Sequence, residues 1–249
     1  MSQNDYPIII PKRGRSDPPI SPVVVLIFTI EDFLEIRRRY EDSIVLEREI
    51  YNSTLLNIDR GGRLLTLVGP ILGAPQAVLI VEKLIAMNAK AFLAFGWCGS
   101  ISPGVRIGDI IIPVSAISDE GTSRHYPLDK KNEARATQEL VELLESRLHS
   151  AGVSYHVGKV WSTDAPYREM ASEVLEYQKQ GALAVDMETS ALFQVAAFRK
   201  VKLAVVLVVS DELFSLKWKP GFRSKKFIDN RKLVTNMILD AEETLVETM

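Results

Sequence analysis

Apolar positions along the chain fall into two kinds of run. Short unbroken stretches of β-branched and aromatic residues, with no polar alternation, mark strands buried on both faces. The first is PVVVLIFT, from Pro22 to Thr29, and similar runs at Leu64 to Val68, Ala91 to Phe95, Asp109 to Pro113, His156 to Trp161, Ala182 to Val185 and Ala204 to Val209 predict further strands. Between them the spacing changes to that of amphipathic helices: IEDFLEIRRRY from Ile30, APQAVLIVEKLIAMNA from Ala74, ATQELVELLESRLHSAG from Ala136, TSALFQVAAFRKV from Thr189 and FIDNRKLVTNMILDAEETLVETM from Phe227. Alternation of this kind predicts an α/β three-layer sandwich, a central mixed, largely parallel twisted sheet flanked by helices, over residues 22–249. Residues 1–21 are different. Five of the twelve prolines lie within the first 22 positions, which excludes a regular helix and predicts an extended arm. Its apolar triplet Ile8-Ile9-Ile10 could dock on this domain or on a neighbouring subunit.

Composition narrows the function classes. The 249 residues are 47% hydrophobic and 25% charged, as in an ordinary globular chain, and 30 basic against 32 acidic residues leave a net charge of -2. No global field recommends nucleic acid or an anionic membrane as partner. One cysteine, Cys98, cannot form an intramolecular disulfide, and three scattered histidines give no metal-ligand spacing, so neither a metal nor a cofactor is expected. The absence of a signal-like or membrane-length apolar run points to the cytoplasm.

In open α/β sheets ligands collect at the carboxyl ends of strands, and four polar groups fall there. In FGWCGSISPGVRIGD, Gly96 and Gly99 read as a turn after a strand, where backbone can approach a ligand. DEGTSRHYP holds His125 as a hydroxyl partner, although a merely solvated loop accounts for it as well. VWSTDAPYREM presents Tyr167 and Arg168, an aromatic face beside a bidentate donor suited to a heterocycle; the alternative is a surface ion pair. In AVDMETSALFQVAAF, an extended backbone to Glu188 would set Asp186 and Glu188 on one side and Met187 on the other. Buried carboxylates need partners, and vicinal sugar hydroxyls are suitable ones. Capping of the following helix is the favoured role for Asp186, and the sugar for Glu188. Close behind, LAVVLVVSDELFS ends a strand in Ser210 and Asp211, an acid able to protonate a leaving group if its surroundings raise its pKa.

In this order and spacing, the segments resemble the nucleoside phosphorylase family typified by uridine phosphorylase, trimeric-type purine nucleoside phosphorylase and methylthioadenosine nucleosidase. The resemblance implies cleavage of the bond between a pentose and a nucleobase with phosphate or water as acceptor, phosphorolysis being the family's majority reaction, and a homo-oligomer, dimer or hexamer. It places Glu188 on the ribose hydroxyls, Met187 against the sugar, and Trp97, Cys98 and Gly99 around base and sugar. Asp211 matches the position that protonates a purine ring nitrogen in the purine branch, while Tyr167 and Arg168 are similar to a uracil-recognising segment of the pyrimidine branch.

The departures concern phosphate. Phosphorolytic relatives usually carry Gly-Asp-Pro-x-Arg after the first strand, where this chain has FTIEDFLEIRR with Glu31 and Asp32 in place. They usually carry an arginine where this chain has Ala94 and a Ser/Thr where it has Trp97. Each lost charge-assisted donor removes about 1.5 to 3 kcal/mol of anion binding. Arg48 is the substitute phosphate ligand, near where a neighbouring subunit contributes an arginine in the family. Hydrolysis, an unusual nucleoside, or a binding protein without catalysis are the readings that follow from a lost anion site. A dinucleotide-binding domain fits the alternation but lacks the glycine fingerprint.

Overall fold

In the computed structural model, which describes residues 6–128 and 134–248, the first strand shows why its sequence has no polar alternation. In β1 (Val23–Ile27), Val24 and Leu26 pack into one apolar cluster while Val25 and Ile27 pack into another. A strand with helices on both faces has no side left for water.

Among the described residues the sheet holds ten strands. After β1 come α1 (Ile30–Arg39), β2 (Ile44–Ile50), β3 (Ser53–Asp59), β4 (Leu64–Gly69), α2 (Ala74–Ala86), β5 (Ala91–Ser100) and β6 (Ile110–Asp119). Then follow α3 (Gln138–Ser150), β7 (Tyr155–Thr163), α4 (Ala171–Lys179), β8 (Ala182–Asp186), α5 (Thr189–Arg199), β9 (Lys202–Glu212), β10 (Lys219–Pro220) and α6 (Lys225–Thr248). The strands lie in the order β10-β9-β6-β7-β8-β5-β1-β4-β3-β2. Parallel pairings β4-β1-β5-β9 run through the centre. Helices α2 and α5 cover one face, and α1, α3 and α6 the other. This is the mixed α/β sandwich that the hydrophobic runs predict.

Two further pairings give the sheet its shape. β5 meets β8 antiparallel at Gly99 and Val185, and β6 meets β9 antiparallel at Ile110 and Ile111. Because β6 also pairs β7, and β7 pairs β8, strands β5, β9, β6, β7 and β8 close into a ring. The carboxyl ends of β5, β8 and β9 are thereby held together.

The first strand of the candidate turn corrects the sequence reading. β5 does not stop at Phe95 but runs to Ser100, so Gly96 and Gly99 are paired strand residues and not a turn. What they supply is room. A Cβ on Gly96 would lie 2.2 Å from Cδ2 of Phe28, and one on Gly99 would lie 2.5 Å from Leu213 and 3.2 Å from Oδ2 of Asp211. Gly96→Ala should therefore cost about 1–3 kcal/mol through overpacking against the buried Phe28. Chemical denaturation reads this as a lower midpoint at unchanged slope; an unmoved midpoint would mean that Phe28 turns aside freely.

The arm carries no helix or strand over residues 6–21. Its second half is fastened to the domain: Asp17 pairs with Lys83, Asn57 donates to the carbonyl of Pro19, and the Ser21 amide donates to Thr66 at 2.8 Å. Ile8 and Ile9 are 93% and 89% exposed, so this chain does not bury the triplet itself. Residues 1–5 of the expected arm and Met249 of the expected last helix lie outside the described residues.

Candidate active site

A cavity of about 830 Å³ opens where β5, β8 and β9 end, a volume in the range of small-molecule sites. Trp97, Cys98 and Gly99 line it from β5, Asp186, Met187 and Glu188 from the end of β8, and Ser210 and Asp211 from β9. Tyr167 reaches its mouth from the short turn Pro166–Arg168, fully exposed.

Local backbone features aim the acids. Along β9, Cys98 faces Val209 but Gly99 faces Asp211, so Ser210 is an extra residue. Such a bulge bends the strand and re-aims the side chain after it. Asp211 then accepts a hydrogen bond from the Ser210 hydroxyl at 2.6 Å and one from the indole N–H of Trp218 at 2.9 Å. Burial raises its pKa above the usual carboxylate value, against the pull of those two donors. The next residue behaves oppositely. Burial also opposes the charge of Glu212, but the Ile107 amide together with Arg106 and Lys219 binds it and holds its pKa below normal. Two adjacent acids on one strand are thus driven apart by their different partners.

At the end of β8 the backbone bends after Asp186 instead of continuing extended to Glu188, and Asp186, Met187 and Glu188 all reach the cavity wall. Asp186 accepts from the Ser162 hydroxyl and from both the amide and the hydroxyl of Thr189, so it caps α5. Glu188 is freer. One of its oxygens accepts the Gly73 amide at 2.6 Å, from a backbone with φ of 80° that favours glycine. Its pKa is raised, first by burial and then by the charge of Asp186. Cys98 sits between the acids: burial, then the charges of Asp186 and Asp211, push its thiol well above the ordinary value. Its buried side chain forms part of the cavity wall.

Not every residue marked in the sequence arrives here. Arg168 follows Tyr167 but does not belong to the lining, and His125 lies exposed on another short turn, Ser123–His125. Arg48 lies on β2 beside a separate cavity of about 260 Å³, where it donates to the carbonyl of Ser16 and stands 4.0 Å from Asp17. Other residues join unannounced. Glu169, directly after Arg168, lines the cavity with its pKa pushed up to about 7 by burial, then by the charges of Asp211 and Glu173. Trp218 and Lys217 come from the loop after β9, folded back because β10 pairs with Glu212 and Asp211. No short-range pattern marks Trp218, which the β10–β9 pairing brings back to the cavity.

Comparison with known proteins gives a consistent picture. Residues 22–240 match the family model described as Phosphorylase superfamily. A purine nucleoside phosphorylase DeoD-type 1 of Shewanella oneidensis is 31% identical over 60% of this chain, a match spanning 64% of that protein's own length. A DeoD-type 2 enzyme of Vibrio vulnificus is 31% identical over 69% of this chain and 74% of its own. Among solved structures, uridine phosphorylase from Vibrio fischeri superposes with a TM-score of 0.75 at 25% identity, covering 92% of this chain and 93% of that one. Purine nucleoside phosphorylase from Toxoplasma gondii, solved with immucillin-H, shares the fold with a TM-score of 0.76 at 18% identity over 93% and 94% of the two chains. The family model extends from the start of the first strand well into the last helix, and on that match the chain belongs to the phosphorylase superfamily.

Proposed function

We propose that the protein cleaves the N-glycosidic bond of a nucleoside in this cavity, with a purine as the preferred leaving group. The observation that carries the reading is that Glu188 and Asp211, both with raised pKa values, line one cavity from strand ends that flank β5. Breaking a pentose–base bond builds positive charge on the sugar and negative charge on the departing base. Glu188, fixed by the Gly73 amide, offers acceptor oxygens to the ribose hydroxyls, and Met187 packs beside the sugar. Asp211 protonates a ring nitrogen of the base. Trp218 and Ser210 hold its carboxyl group in place, and Trp97 and Tyr167 supply flat apolar surface for the heterocycle. The names of the relatives, purine nucleoside phosphorylases and a guanosine phosphorylase of Halorubrum lacusprofundi, support the same chemistry.

Incubation with adenosine, inosine, guanosine and uridine, followed by chromatography of the free base, tests this. Base release from at least one purine nucleoside is expected. Thermal stabilisation by a nucleoside without any turnover would leave a binding protein instead.

A proton donor works only while protonated, so turnover should fall as pH rises through the folded-state pKa of Asp211. Glu169 feels that carboxylate: after burial, the charge of Asp211 is the next cause that pushes its pKa up to about 7. Asp211→Asn should therefore bring the Glu169 pKa down, read by NMR titration of its carboxyl carbon, and an unmoved value would mean that the two groups do not share the cavity's field.

A further inference from the structure

Asp32 and Arg231 take no part in the chemistry proposed for Glu188 and Asp211. Asp32 lies in the first turn of α1 with only 2% of its surface exposed, behind the wall that Phe28, Thr29 and Trp97 give the cavity. One carboxylate oxygen accepts the Thr29 hydroxyl at 2.5 Å and the Trp97 indole N–H at 2.7 Å. The other accepts Nε and Nη2 of Arg231 at 3.0 and 2.8 Å. The Arg231 side chain is 13% exposed, and its guanidinium stacks 4.6 Å from the indole ring of Trp97. The hydroxyl, the indole and the guanidinium are all engaged by an anion that belongs to the chain.

The cavity side offers little in exchange, since Lys217 is the one cation among the described lining residues, beside Glu169, Asp186, Glu188 and Asp211. An inorganic phosphate needs several charge-assisted donors, and here it would meet a wall whose donors are occupied.

We propose that Asp32 determines the acceptor: from behind the cavity wall this built-in carboxylate occupies the Thr29 hydroxyl, the Trp97 indole and the Arg231 guanidinium that an external anion at that wall would need, so that water and not phosphate takes the sugar. The inference rests on the N-glycosidic reading of the site. In the step, the bond between the sugar's anomeric carbon and the base nitrogen breaks with its electron pair leaving on the base, and Asp211 gives its proton to the base. A water oxygen bonds to the anomeric carbon, and the proton that this water loses restores Asp211. The products are free base and free pentose.

Base and sugar released from a purine nucleoside are measured for the wild type and for Asp32→Asn, each with and without inorganic phosphate. For the wild type we expect free ribose and a rate that phosphate does not raise. Asp32→Asn keeps the size of the side chain but releases the charge, and phosphate should then raise base release about tenfold or more, with ribose 1-phosphate appearing. Should this variant fail to fold, Asp32→Ser, which also vacates volume for an anion, takes its place. Ribose 1-phosphate from the wild type would overturn the proposal whatever the variants do, as would a folded variant still indifferent to phosphate. Those outcomes leave the N-glycosidic reading standing, whereas no base release under any condition would remove both.

Discussion

Asp211→Asn should lower kcat for a purine nucleoside by about 10²–10⁴-fold, the usual contribution of a positioned general acid. The substitution keeps the size of the side chain and removes the transferable proton, at the cost of one of the two oxygens that accept from Ser210 and Trp218. Its effect should depend on the leaving group. A 7-methylated purine nucleoside already carries positive charge on its ring, departs without needing a proton, and should lose far less rate than inosine or guanosine. The alkaline limb of the rate profile should also vanish, because the raised carboxyl group that titrates there is gone. Equal losses for the methylated and unmethylated substrates would show that Asp211 does not protonate the base and only supports the cavity.

How far this site can be read from the sequence depends on how local the cause of each feature is. The strand β1 and the helix α5 follow from short-range pattern, and the capping of α5 by Asp186 follows from an acid three positions before Thr189. The hairpin of β2 and β3 escapes for two reasons. The segment Ile44–Ile50 is an edge strand whose exposed positions include Glu47, Arg48 and Glu49, so its apolar signal is diluted. Its turn uses Tyr51 and Asn52 with φ of 48° and 64°, a left-handed pair without the glycine that normally announces it. In β5, glycines that belong inside a strand read as its end, because the reason for them is Phe28 and Leu213 arriving from elsewhere. The ring closure through β5–β8 and β6–β9 leaves no periodic trace at all, since it is a choice between partners far apart in the chain. Glu169 and Trp218 enter the cavity only through that long-range geometry. The difference between Asp211 and Glu212 is of the same kind: both are acids on one strand, and only the tertiary partners Arg106, Ile107 and Lys219 set them apart.

Glu188→Gln should cost kcat/KM for a ribonucleoside about 10- to 150-fold, the worth of 1.5–3 kcal/mol for a hydrogen bond to a charged acceptor. The glutamine matches the shape of the acid but replaces one acceptor oxygen with a donor. With one oxygen still needed for the Gly73 amide, the amide group would turn its N–H bonds toward the sugar hydroxyls. A 2′-deoxyribonucleoside lacks one of those hydroxyls and isolates the contact. In the wild type the ribo substrate should be preferred over the deoxy one, and in Glu188→Gln that preference should shrink toward unity, since the partner whose loss each change reports is the same. The sign with pH follows from the raised pKa of Glu188 in the empty cavity, set by burial and by Asp186. An acceptor must be ionised, so ribonucleoside affinity should strengthen as pH rises through that value, and bound sugar should lower it by stabilising the anion. Turnover, which also needs the proton on Asp211, should then peak between the two titrations. If ribo and deoxy substrates lose activity equally in the variant, Glu188 does not hold the 2′-hydroxyl, and the sugar must lie elsewhere in the cavity.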